Sequence, residues 1–265
     1  MADRDNRHPT PNARVSARAI YQTIRRDGEE EMARLVGSLW WSGVAAGIAV
    51  STSVIAEGLL HETLPDNAWR PSLEAFGYCV GFVLVVLGRT QLFTENTITA
   101  VLPLMTRTNR ESFICIARLW SVVFIANMVG TLVAATFTDV VGFATPEQLA
   151  AFHDVSRPLL EKGWIETLLH GIPAGFFVAA MVWMLPNARG SEIWVIVIAT
   201  YMIALGDFAH VVVGSMEAFL LLLAGEVHII DALWGCLLPA LIGNVLGGTV
   251  LFSLLAYGQV RQEID

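Results

Sequence analysis

LGRTQLFTENTITAVLPL, residues Leu87 to Leu104, is the stretch whose reading decides the fold. From Phe76 to Leu87 the chain is apolar and reads as a helix inside a membrane. Arg89, Thr90, Gln91, Thr94, Glu95, Asn96, Thr97 and Thr99 then fall within eleven residues, and Pro103 closes the stretch. Non-helical backbone is tolerated at bilayer depth only where protein buries it or where it lines a cavity. The stretch therefore predicts a broken span beside a path through the membrane.

The rest of the chain agrees with that setting. At 265 residues, 55% hydrophobic and with a mean hydropathy of +0.59, it is not a soluble domain. Windows long enough to cross a bilayer lie near Val36–Ala56, Leu73–Phe93, Phe113–Thr136, Trp164–Leu185, Ile193–Ala224 and Ile229–Tyr257. The last two are long enough to be tilted, broken or extended past the membrane. Six spans, all helical, are the expected architecture. The expected boundaries are an N-terminal segment over 1–34, a transmembrane domain over 35–258 and a tail over 259–265.

Arginine fixes the expected orientation. Arg4, Arg7, Arg14, Arg18, Arg25, Arg26 and Arg34 precede the first span; Arg107, Arg110 and Arg118 follow the second. Arg189 follows the fourth and Arg261 the sixth, while the other side holds only Arg70, Arg157 and Lys162. By the positive-inside rule both termini are cytoplasmic; the plasma (inner) membrane is the expected location. The net charge of −8 is thus partitioned by side and says nothing about partners. The first 34 residues are charged, so no cleavable signal is expected. RAIYQTIRRDGEEEMARL reads as a helix that leads into the first span, solvated or lying on the lipid surface. Cys79, Cys115 and Cys236 have no paired spacing and read as free thiols.

The chain repeats itself. NMVGTLV from Asn127 and NVLGGTVL from Asn244 lie 117 residues apart; Gly88-Arg89 and Gly206-Asp207 lie 118 apart. Three spans per half then put the halves in the membrane in opposite directions, an inverted repeat. The fifth span should break where the second does, the second around Leu92–Asn96 and the fifth around Phe208–Gly214, within GDFAHVVVGSMEAF. Ionisable residues at such depth are functional candidates. Arg89 cannot discard its charge and needs a partner. An Arg89–Asp207 ion pair across the pseudo-two-fold is the expectation, with Glu95 as the competing partner.

These residues resemble the formate/nitrite transporter family. QLFTENT (Gln91–Thr97) is similar to its Leu-Phe-Thr loop, GDFAH to its Gly-Phe-Glu-His segment, and IGNVLGG (Ile242–Gly248) to its Gly-Asn-x-x-Gly-Gly. GIPAGFFVAAMVWM (Gly171–Met184) resembles its fourth span, and the likeness covers roughly 35–258. The resemblance implies an aquaporin-like fold, a homopentamer with one path per protomer, and small monovalent anions as substrate. It further implies apolar rings from Phe82, Leu92 and Phe93 on one side and from Val178 and Ile203 on the other. Thr94 is then the loop hydroxyl near a central His210, and Asn244 the asparagine of the sixth span. The family's vestibule lysine falls at Leu159, with Lys162 three residues on. The departures are Ala209 for a Glu, Gly175 and Gly214 for asparagines, and Arg89 and Glu95 at positions that are usually small.

From the residues alone, His210 is an ionisable group within a 32-residue, mostly apolar run, Ile193–Ala224. Neutral imidazole is the expected resting form there. An anion arriving beside it favours proton transfer, and the resulting weak acid crosses an apolar ring more cheaply than an ion does. A structural histidine bonded to a backbone carbonyl is the bland alternative. Lys162 would concentrate anions at the mouth, or simply snorkel to headgroups. Glu166 and His170 stand one turn apart, but no further ligand converges, so no metal is expected. His153 and His228 lie in external connections and should be solvated. Trp40, Trp41, Trp69, Trp164, Trp194 and Trp234 fall near span ends, as interfacial anchors do.

Three functions compete. A proton-linked channel or transporter for a small monoanion fits best. A neutral-solute pore for water or ammonia is the alternative, favoured by the loss of polar partners at Ala209, Gly175 and Gly214. A non-transport membrane enzyme or signalling protein ranks last, since no catalytic triad, His-Glu-x-x-His or paired-carboxylate motif is present. No cofactor and no nucleic acid are expected; the partners are the anion, the proton and the bilayer.

Overall fold

The computed structural model describes residues 15–106 and 109–264. Arg4, Arg7, Arg14 and Arg107, which carry part of the orientation argument, lie outside the described residues.

The chain opens with α1 (Ala17–Ala33), capped by Ser16, whose hydroxyl accepts from the Ala19 N–H at 3.3 Å. One face of this helix docks on protein, while Arg18, Gln22 and Arg26 on the other are exposed. Ile20, Tyr21 and Ile24 are buried, and the Tyr21 hydroxyl donates to the Leu102 carbonyl at 3.0 Å. Gly28 is required by the same packing: a Cβ there would stand 1.9 Å from the Thr99 carbonyl oxygen. The amphipathic pattern is satisfied by protein rather than by headgroups.

The first span is α2 (Val36–Thr63) and the second begins as α3 (Arg70–Leu87). After a break come two short helices, α4 (Asn96–Thr99) and α5 (Val101–Thr106). The third span is α6 (Arg110–Thr136), prolonged by a π turn over Phe137–Val141. The connection between the third and fourth spans carries α7 (Pro146–Ser156), opened by a Thr145/Gln148 capping box, and α8 (Pro158–Glu161). The fourth span is α9 (Trp164–Met184), and the fifth is split into α10 (Glu192–Leu205) and α11 (Val211–Leu223). The sixth, Asp231–Val260, runs through π turns at Asp231–Leu237 and Leu246–Ser253 around α12 (Leu238–Val245) and ends in α13 (Leu254–Val260). Its extra length is absorbed by those looser turns, without a break.

Among the described residues five helices are long and apolar enough to cross a membrane, and the fifth span supplies two shorter apolar ones. Each half closes by crossing its first and third spans at glycine. A Cβ on Gly47 would meet the Asn127 carbonyl oxygen at 2.3 Å, and one on Gly175 the Asn244 carbonyl oxygen at 2.1 Å. Gly43, Ala46 and Gly47 therefore serve packing within the protomer, while Ala45 and Ile48 face outward. The outer surface is apolar, with Leu84, Ile114, Ile125 and Ile198 exposed, and Trp41, Trp69, Trp194 and Trp234 exposed near helix ends.

Both breaks start earlier than the sequence suggested. The second span stops at Leu87, and regular helix resumes at Asn96; the fifth stops at Leu205 and resumes at Val211. Gly214, expected in the break, lies inside α11. The turning points explain the shift. Arg89 (φ 52°) and Asp207 (φ 49°) are the two non-glycine residues with positive φ among the described residues. They are 118 residues apart, so the inverted halves turn the chain at equivalent positions.

Candidate functional site

The two broken spans are pinned by one residue each. The Asn127 side chain accepts from the Phe93 N–H at 2.9 Å and donates to the Gly43 and Gln91 carbonyls at 2.8 and 2.9 Å. Asn244 accepts from the Val211 N–H at 2.9 Å and donates to the Gly171 and Ala209 carbonyls at 2.9 and 2.7 Å. A buried backbone group without a partner is costly, so each amide supplies what its broken helix lost. The resemblance puts Asn244 on the substrate path. Its N–H groups are both spent on backbone, so it acts by holding the loop.

Between the pinned loops stand the two residues expected at the centre. Thr94 Oγ1 lies 2.8 Å from His210 Nε2, and both residues are buried. His210 also caps α11, with Nδ1 accepting the Val213 N–H at 3.3 Å. Because Nδ1 accepts in that contact, Nε2 carries the hydrogen and donates it to Thr94. The Thr94 hydroxyl hydrogen then has no partner in this pair and is free for a visitor. Thr97 donates to the Thr94 carbonyl at 2.7 Å, and Thr249 of the sixth span donates to the Thr97 carbonyl at 2.7 Å. Thr131 and Ser215 bridge α6 to α11 at 2.8 Å.

The apolar residues expected around the histidine are placed unevenly. The Phe82 ring is edge-on to the imidazole at 5.0 Å. Ile203 shares a cavity with His210, while Leu92 and Val178 are fully buried. Phe93 packs edge-on against Phe124 and Trp120 of α6, at 5.1 and 5.8 Å. Of the two glycines that stand where the resemblance implies asparagine, Gly175 has no room for any side chain. Gly214 does: its nearest neighbours are Leu159 Cδ1 at 3.5 Å and Glu217 Oε2 at 3.8 Å.

A cavity of about 330 Å³ opens from His210 and is lined by Glu57, Glu74, Tyr78, Lys162, Asp207 and Glu217 among others. Lys162 Nζ sits 2.5 Å from the Asp207 carboxylate and donates to the Asp207 carbonyl at 3.1 Å. His170 Nδ1 is 3.0 Å from that same carbonyl, and no group of three or more potential metal ligands exists among the described residues. The Arg89–Asp207 pair is not formed. Asp207 is held by Lys162, and the charges that act on Arg89's surroundings are Asp27 and Glu95. Val15, which leads into the helix bearing Asp27, bonds Asn187 at the far end of the fourth span, whereas Lys162 precedes its start. A 24-residue helix separates these ends by about 36 Å. The pseudo-two-fold relates Arg89 to Asp207 but passes between them, so it sets them at opposite mouths. Burial pushes the Asp27 carboxyl above its ordinary range, and Arg89 draws it partly back.

Sequence reasoning missed Glu57, Glu217 and Tyr78, which sit singly in apolar runs and meet only in the fold. His153, expected to be solvated, is half-buried with its ring 3.5 Å from Asp139; His228 is exposed as expected.

Comparison with known proteins places this architecture. The formate/nitrite transporter family model matches residues 18–258. The inner membrane protein YfdC of Escherichia coli (strain K12) is 39% identical over 249 residues, 94% of this chain and 80% of that protein. Among solved structures, an FNT family ion channel superposes with a TM-score of 0.76 at 18% identity, over 92% of this chain and 98% of its own. A pentameric formate channel with formate bound superposes at 0.70 and 16% identity, over 94% and 100%. The inverted halves, the two pinned breaks and the family match together identify a multi-pass, non-enzymatic membrane protein: this chain belongs to the formate/nitrite transporter family.

Proposed function

We propose that the protein passes a small weak-acid monoanion, of the formate or nitrite kind, across the membrane together with a proton, with His210 at the centre of the path. The Thr94–His210 contact at the junction of the two broken spans carries this reading. An anion beside the pair meets one unspent hydroxyl hydrogen from Thr94 and, through it, the Nε2–H of the imidazole. Hydronium that enters with the anion protonates the imidazole, and the Nε2 proton then passes along that line to the anion, leaving neutral imidazole behind. The anion becomes a neutral acid, which crosses the apolar surroundings of Phe82 and Leu92 at far lower cost than an ion.

The assembly in this reading is a homopentamer with one path in each protomer and both termini in the cytoplasm. The apolar outer faces and the pentameric formate channel of like fold support it. Native mass spectrometry in mild detergent should report five chains; a stable monomer or tetramer would contradict the assembly.

Flux into proteoliposomes, measured for formate, nitrite, acetate and hydrosulfide with a pH dye inside, tests the substrate class. Uptake of at least one of these with one proton per anion is expected. Water or ammonia passage with none of the anions would replace the reading with the neutral-solute pore.

A further inference from the structure

The cavity that opens from His210 is not built to collect anions by charge. Glu57 and Glu217 line it without a hydrogen-bond or ion-pair partner among the described residues, and Lys162 is closed onto Asp207 at 2.5 Å. Recognition there falls to hydrogen bonding, and most side-chain donors along the cavity are engaged. Lys162 also donates to the Asp207 carbonyl at 3.1 Å, and Thr167 donates to the Gly163 carbonyl at 3.1 Å. The Cys236 thiol donates to the Leu159 carbonyl at 3.8 Å, and His210 is taken up by Thr94 at 2.8 Å.

Tyr78 is the exception. The residue is only 6% exposed, it lines the cavity, and its hydroxyl has no partner among the described residues. Buried side chains with an unpartnered polar atom wholly shut away from solvent are Glu95, His153 and Trp164, so the Tyr78 oxygen opens onto the cavity instead. A buried polar group left without a partner is costly, which marks this one as waiting for a visitor. Its place on the path follows from the helix. Glu74, Tyr78 and Phe82 are successive i, i+4 positions of α3 and share one face. Glu74 is answered by Arg70 at 2.7 Å and His61 at 2.9 Å. The Phe82 ring lies 5.0 Å from the imidazole, and the Tyr78 ring 5.4 Å from that of Phe82. The phenol therefore stands one helical turn before the apolar ring that guards His210. Ser53 of α2 holds that turn by donating to the Tyr78 carbonyl at 2.5 Å.

We infer that Tyr78 is a specificity contact ahead of the centre: its hydroxyl donates to an oxygen of the entering substrate and so selects oxyacids, of the formate, nitrite or short carboxylate kind, over hydrosulfide. This rests on the weak-acid reading above and adds which weak acids are favoured. A phenol is a neutral donor, so it bonds an oxygen of the anion or of the protonated acid alike. Hydrosulfide offers only sulfur, a weak acceptor. The cavity, about 330 Å³, has room for a small acid together with several waters.

Tyr78→Phe removes the hydroxyl and keeps the ring that packs on Phe82. In proteoliposomes, the concentrations that half-saturate formate and nitrite uptake should rise about tenfold relative to that for hydrosulfide, the loss expected of one hydrogen bond to a charged acceptor. An equal loss for all three, or no change in any, would overturn the contact and leave the weak-acid reading standing. Infrared difference spectra of the wild type, with and without added formate, read the contact without relying on a variant that must fold. The phenol C–O band should shift with formate and stay in place with hydrosulfide. No shift with formate would likewise overturn the contact. A shift with no movement of any anion across the bilayer would leave the contact standing and overturn the weak-acid reading.

Discussion

Asn127 and Asn244, 117 residues apart, make the same three hydrogen bonds with the same atoms, one to each broken span. Each side chain bonds one N–H and one carbonyl of a loop and one carbonyl of the first helix in its own half. The symmetry of the fold is therefore a symmetry of backbone repair.

Replacing either residue by Ala leaves a buried N–H and a buried loop carbonyl without partners, while the carbonyls of Gly43 and Gly171 keep their bonds within the helix. At about 1–3 kcal/mol for each orphaned group, Asn127→Ala and Asn244→Ala should both unfold the protein well below the wild-type temperature. Thermal unfolding in detergent checks this. An Asn244→Ala variant with an unchanged Tm would show that the loop stands without its pin.

Gly175 and Gly214 should answer oppositely to Ala. A Cβ on Gly175 falls 2.1 Å from a backbone oxygen, a collision only helix displacement relieves, so Gly175→Ala should cost about 1–3 kcal/mol or more. Gly214→Ala meets nothing nearer than 3.5 Å and should keep the wild-type Tm within a degree or two. Equal losses at both sites would contradict the packing described.

The turning residues make a third test. A non-glycine residue in the left-handed region costs about 1–2 kcal/mol. Asp207→Gly relieves that strain and gives up the Lys162 pair; with Asp207 largely exposed, the pair contributes about 0.2–1 kcal/mol. The net change should be small and favourable. Arg89→Gly, with no ion pair among the described residues to lose but with its attraction to Asp27 and Glu95 given up, should stabilise slightly, and Arg89→Val should destabilise. A large loss in Arg89→Gly would mean that the guanidinium holds a partner after all.

The docking of α1 can be read by pH. Burial holds the Tyr21 hydroxyl protonated, its pKa raised from the ordinary 10.0 to about 12. The folded state thus keeps a proton that the unfolded state releases, so stability falls as pH rises from about 10 to about 12. Tyr21→Phe should remove that alkaline loss. It should also lower stability at neutral pH by about 1 kcal/mol, since the Leu102 carbonyl loses its donor. Identical alkaline unfolding curves for both proteins would contradict the buried placement of this helix.

Much of this is visible in the residues, and the misses share a cause. Gly88-Arg89 and Gly206-Asp207 mark the breaks because a charge beside glycine inside an apolar run interrupts the helix that carries it. The repeat offset predicts the inverted halves, and the histidine and its threonine partner meet as expected. What a one-dimensional pattern does not carry is distance to a symmetry axis. Arg89 and Asp207 are equivalent, and equivalence does not make them neighbours. Glu57 and Glu217 escape the sequence for the same reason: each is one acid among apolar neighbours, and only the fold turns both into one cavity. Lys162 reads as a free cation because nothing in the sequence ties it to a residue 45 positions on.

The most direct measurement of the central claim is the pH profile of anion flux through His210→Asn, in proteoliposomes, with assembly checked by native mass spectrometry. Asparagine can still bond Thr94 but cannot take up or release a proton in this range. The account predicts that the oligomer assembles, while proton-linked uptake loses its pH dependence or the selectivity among anions changes. An assembled variant whose flux, pH profile and selectivity all match the wild type would contradict it.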